Sequence, residues 1–74
     1  METYIDIFLN TDGEKASNIE KKLIDMELKP TIGHHDFVYD WGKIVDHSEV
    51  INLVDKIQSN LKGSGAILKF STIR

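Results

Sequence analysis

The spacing of apolar residues along the chain alternates between a period of two and a period near 3.6, and this switching predicts the order of elements. Tyr4-Ile5-Asp6-Ile7-Phe8-Leu9-Asn10 alternates strictly and is rich in β-branched and aromatic residues, so it reads as a strand. Ile5, Ile7 and Leu9 form its aliphatic face, expected to face the core, and Tyr4, Asp6, Phe8 and Asn10 form the other. Thr11-Asp12-Gly13-Glu14 then has the spacing of a capping box, predicting a helix that opens at this turn and continues to about Glu27. Ala16, Ile19, Leu23 and Met26 supply its buried stripe.

Leu28-Lys29-Pro30-Thr31-Ile32-Gly33 is expected to be an edge strand or an irregular segment, because Pro30 has no N–H for a ladder. Leu28 and Ile32 are its candidates for the core. Gly33-His34-His35 reads as a turn into a second alternating segment, Asp36 to Trp41. Phe37, Tyr39 and Trp41 lie on one face of it, and Asp36, Val38 and Asp40 on the other. A second helix opens near Asp46 or Ser48, with Asp46 and Glu49 spaced as a capping box. Val50, Val54, Ile57 and Leu61 form its stripe, widened by Ile51 and Leu53. Gly63 suits the left-handed residue beyond the helix end, and Ala66 to Ile73 reads as the last strand.

The order is β-α-β-β-α-β. It predicts an α+β, ferredoxin-like domain over residues 1–74: a four-stranded antiparallel sheet with both helices on one face, and the second and last strands outermost. The rival is a three-stranded sheet in which residues 28–33 are loop. The covered face is expected to carry Ile5, Ile7, Leu9, Phe37, Tyr39, Trp41, Leu68 and Phe70. Tyr4, Asp6, Phe8, Asp36, Val38, Asp40, Ile67, Lys69 and Ser71 then fall on the uncovered face. Inverting the parity would expose the row Phe37, Tyr39, Trp41 as a stacking platform for single-stranded RNA. It would also bury Asp36 and Asp40, at a cost of several kcal/mol.

Composition narrows the function classes. The 74 residues bury a small core, so tight packing or oligomerisation must supplement stability. With no cysteine, disulfides and thiolate zinc sites are excluded, and a reducing cytoplasm is the expected location. A net charge of −3 argues against a nucleic-acid coat. No signal peptide and no apolar run of membrane-spanning length is read from the sequence.

The mixed uncovered face, with Tyr4, Phe8, Val38 and Ile67 beside carboxylates, is expected to be a contact site: a docking surface for a second copy or a protein partner. The alternative is a ligand or cation platform built on Asp6, Asp36 and Asp40. Asp36 and Asp40 would stand about 13 Å apart along an ideal strand, too far to share a proton. Lys69 is a cross-strand candidate to neutralise Asp6. His34, His35 and His47 lack the spacing of a metal motif, so no metal or cofactor is expected, and an enzyme using His34 or His35 is the third reading. Gly63-Ser64-Gly65 follows a helix end and precedes a strand, the reverse of a phosphate loop.

Across residues 4–32, an Ile-rich strand followed by Asp12-Gly13-Glu14 at the first helix resembles the amino-acid-sensing ACT-type domains. That resemblance implies pairing of sheets or helices with an effector bound at the interface.

Overall fold

The computed structural model describes residues 1–73. The elements are β1 (Glu2–Phe8), α1 (Ala16–Asp25), β2 (Lys29–Pro30), β3 (Phe37–Asp40), α2 (His47–Asn60) and β4 (Ile67–Ile73). The four strands form one antiparallel sheet in the order β2-β3-β1-β4. The three-stranded alternative is therefore set aside. No helix among the described residues is long and apolar enough to cross a membrane.

Register fixes the faces. Ile5 stands opposite Phe37 on one side and Phe70 on the other, and Thr3 opposite Tyr39 and Thr72. This face meets the helices: Ile19 and Leu23 of α1, Leu53 and Ile57 of α2, and Leu61 at the C-cap of α2 join Ile5, Leu28 and Phe37 in one buried cluster. Each fully excluded aliphatic side chain, such as Ile5, Leu23 or Ile57, contributes about 1.5–3 kcal/mol through removal from water. The same face holds a polar relay. Trp41 Nε1–H donates to the Thr3 hydroxyl (2.9 Å), which shares a hydrogen bond with the Thr72 hydroxyl (3.0 Å), while Thr3 is wholly buried. The indole also meets Tyr39 edge to face, with centroids 4.8 Å apart.

Several expected boundaries move. Thr11 is no helix cap: residues 10–13 form a turn in which Asn10 accepts from the Asp12 and Gly13 amides (3.0 and 2.9 Å). The helix begins five residues later, at Ala16, with Lys15 at its N-cap. Glu14 instead accepts from the Asn18 side chain. Ala16, expected in the buried stripe, is exposed. The same helix ends at Asp25, not Glu27. Leu28 N–H bonds the Leu23 carbonyl (3.1 Å) and Glu27 N–H bonds that of Ile24 (2.9 Å), the paired bonds of a Schellman stop. Glu27 takes the left-handed position there, with φ of 70°.

Strand β1 ends at Phe8, which leaves Leu9 exposed rather than in the core. The expected strand over 28–33 shrinks to Lys29–Pro30, because the chain bends away after the proline; Ile32 is fully exposed while Leu28 is buried. Of the two expected caps, Asp46 and Ser48, it is Asp46 that caps α2, the Glu49 carboxylate accepting its N–H at 3.3 Å. The buried stripe of that helix is Val50, Leu53 and Ile57, continued by Leu61 at its C-cap, with Val54 half-buried and Ile51 exposed. The loops before α1 and after α2 lock together: Glu14 N–H bonds the Ser64 carbonyl (2.8 Å), and Ser64 is buried.

Candidate functional site

The face of the sheet turned away from the helices carries Glu2, Tyr4, Asp6 and Phe8 from β1. Val38 and Asp40 come from β3, and Ile67, Lys69, Ser71 and Ile73 from β4. The parity read from the sequence holds. Because β1 starts two residues earlier than expected, Glu2 and its opposite number Ile73 join the face. The polar–aromatic alternation Glu2, Tyr4, Asp6, Phe8 was the signal for this extension.

A cluster forms at the middle of the face. The chain between β2 and β3 is pinned by the Thr31 amide, which donates to the Asp36 carbonyl (2.9 Å), and by the Thr31 hydroxyl, which donates to the His35 carbonyl. This bend lays the His35 ring over β1. Its Nδ1 lies 3.1 Å and 3.3 Å from the two Asp6 carboxylate oxygens, and the ring stacks on Tyr4 with centroids 4.6 Å apart and planes 27° from parallel. Tyr4 and Asp6 are two apart on one strand, so both point outward and a ring crossing the strand meets both. With the Asp6 carboxylate as acceptor, Nδ1 is the donating ring nitrogen in this contact.

The structure separates the three carboxylates once considered together. Asp36 accepts from the Ile7 amide (2.8 Å), replacing a ladder bond where β3 has not yet begun. Asp40 accepts from the Gly42 amide (2.9 Å) in a turn. Asp6 faces Lys69 in register, yet its partner among the described residues is His35 and not the lysine. His34 and His47 are exposed and lie outside this cluster. No group of three or more His, Cys, Asp or Glu suited to a metal ion occurs among the described residues.

The Tyr4 phenol is pushed above the ordinary tyrosine value of 10.0, chiefly by desolvation and then by the Glu2 and Asp40 carboxylates. At the end of the sheet beyond Asp6, Phe8 and Ile67 stand directly opposite each other and are 59% and 68% exposed. The face thus runs from an acidic, hydrogen-bonded end through a stacked Tyr–His pair to an apolar end.

No protein-family model matches the chain, and no curated protein or solved structure shows significant similarity to it. The ACT-type resemblance has no support from these comparisons. Its motif Asp12-Gly13-Glu14 forms a turn packed on Ser64 rather than the first turn of a helix.

Proposed function

We propose that this chain is a non-catalytic binding or assembly module on a ferredoxin-like framework, docking a protein partner or a second copy through its uncovered sheet face. The supporting observation is the exposed, directly opposed pair Phe8 and Ile67, continuous with the Tyr4–His35 stack. Two large apolar side chains held side by side on a rigid sheet lose little conformational entropy when covered. The small core gives such burial a stabilising role. We place the module in the cytoplasm, on the cysteine-free composition.

The test is light scattering across a concentration series together with partner capture, using Phe8→Glu and Ile67→Glu. Both side chains are exposed, so the variants should fold as the parent does, and each should abolish docking through this face. Association unchanged in both variants would eliminate the face as the docking surface.

A second reading, a small-molecule sensor, draws on Tyr4, Asp6 and His35. A flat Tyr–His surface beside a carboxylate suits a ligand that joins a planar ring to an amine. A ligand whose thermal shift survives Asp6→Asn and His35→Gln would count against this site. The same His35→Gln variant tests the enzymatic reading, since any activity it retains excludes that ring.

A further inference from the structure

The two edges of the sheet are built differently. On one side β2 is two residues long and half of it is proline, a blunted edge that resists pairing. On the other, β4 is seven residues long (Ile-Leu-Lys-Phe-Ser-Thr-Ile) and contains no proline or glycine. Among the described residues it pairs with β1 alone.

The register shows which backbone groups β4 leaves free. Trp41 N–H bonds the Met1 carbonyl (3.1 Å), continuing the ladder in which Thr3 faces Tyr39 and Ile5 faces Phe37. Odd-numbered residues of β1 therefore turn their polar groups toward β3, and even-numbered ones toward β4. Opposite those even residues stand Ile67, Lys69, Ser71 and Ile73. The intervening Leu68, Phe70 and Thr72 thus direct their N–H and C=O groups out of the sheet.

We infer that this edge pairs with the β4 edge of a second copy, antiparallel about a two-fold axis through Phe70. In that register Phe70 faces Phe70 of the second copy, Leu68 faces Thr72, Lys69 faces Ser71 and Ile67 faces Ile73. Leu68, Phe70 and Thr72 then exchange about six hydrogen bonds in all. The charge pattern selects this alignment. Centring on Lys69 sets two ammonium groups in a close, non-hydrogen-bonded pair, which is unfavourable. Centring on Ser71 shortens the paired length.

A second observation agrees with this occupant. An open groove of about 490 Å³ between α2 and β4 is lined by Val50, Ile51, Val54, Phe70 and Thr72, among others. Ile51, 42% exposed, overhangs it. It runs beside the free edge on the helix side of the sheet. A two-fold axis perpendicular to the sheet keeps the helices of both copies on the same side, so the two grooves meet and their apolar linings cover each other. The result is an eight-stranded sheet whose uncovered face is twice as wide, and this inference stands whether or not that face docks anything.

The test is amide hydrogen exchange by NMR on the wild-type chain across a concentration series, with light scattering in parallel. Protection of the Leu68, Phe70 and Thr72 amides should rise by about tenfold or more as the dimer forms. The Lys69 and Ser71 amides, already bonded to β1, should change less. Ser71→Lys should weaken the dimer by a few-fold to about tenfold and Ser71→Glu should tighten it, since each places its charge opposite Lys69 of the other copy. A dimer whose Leu68, Phe70 and Thr72 amides stay unprotected would move the contact to the uncovered face and overturn this proposal. A strict monomer at millimolar concentration would overturn it outright.

Discussion

Gly13 lies against Ser64 so closely that a Cβ on the glycine would stand 2.4 Å from the Ser64 carbonyl oxygen. That oxygen belongs to backbone and already accepts from the Glu14 amide, so it cannot swing aside without breaking a bond between the two loops. Gly13 is absent from the residues with positive φ, and its requirement is space rather than an unusual dihedral. Gly13→Ala should cost about 1–3 kcal/mol, the usual range for forced overpacking. A thermal melt followed by circular dichroism reads this as a fall of about 4–8 °C per kcal/mol in a chain of this size. A melting temperature equal to the parent's would show that the loops can part freely.

Glu27 carries the left-handed residue of the α1 stop on a side chain poorly suited to it, and brings a negative charge to the negative end of the helix. Glu27→Gly should relieve both and stabilise the fold by about 0.5–1 kcal/mol, visible as a higher urea midpoint with unchanged slope. A lower midpoint would mean that Glu27 makes a stabilising contact elsewhere.

Thr3 is the hub of the Trp41–Thr3–Thr72 relay. Thr3→Val keeps the shape but removes the acceptor, and it should cost about 1–3 kcal/mol with a change in Trp41 fluorescence. Combined with Trp41→Phe, which removes the orphaned donor, the loss should fall short of the sum of the two single losses. Strict additivity in that double-mutant cycle would show that the indole N–H and Thr3 are uncoupled.

Tyr4 gives the fold an alkaline limit. Its pKa is raised in the folded chain, so its contribution is fully present below 10.0 and is lost as pH rises through the raised value, because the unfolded chain ionises first. The melting temperature of the parent should decline above pH 10.0 more steeply than that of Tyr4→Phe. Glu2→Gln should fall between them, since Glu2 supplies part of the shift. Parallel declines in all three proteins would assign the alkaline loss to other groups.

The sequence carried the element order and the parity of every long strand, because Ile5, Phe37 and Phe70 sit where period-two alternation places them, and it narrowed the second helix cap to Asp46 or Ser48. It failed where tertiary context overrides local pattern. Thr11-Asp12-Gly13-Glu14 has the composition of a helix start, but the amides there are taken by Asn10 and by Ser64, far along the chain beyond α2. Ile32 has a core residue's chemistry and no core within reach, because the strand stops at Pro30. The uncovered-face positions were legible, but the alliance of His35 with Asp6 and Tyr4 was not. It depends on a bend pinned by Thr31, and no periodicity encodes a bend. The pairing of Asp6 with Lys69 was a sound inference from register that lost to a nearer imidazole.

Just before β3 begins, the Asp36 carboxylate takes the place of a backbone carbonyl and holds the Ile7 amide. Main-chain acceptors in the rest of the sheet are held by the backbone, whereas this one sits on a rotatable side chain, so the corner of the sheet at Ile7 and Phe8 is fastened by a bond that a change of rotamer can release. Opening there would begin at Ile7, beside the exposed Phe8–Ile67 pair, while the Thr3 end remains closed. The chain thus carries its own order of unzipping, written in one aspartate.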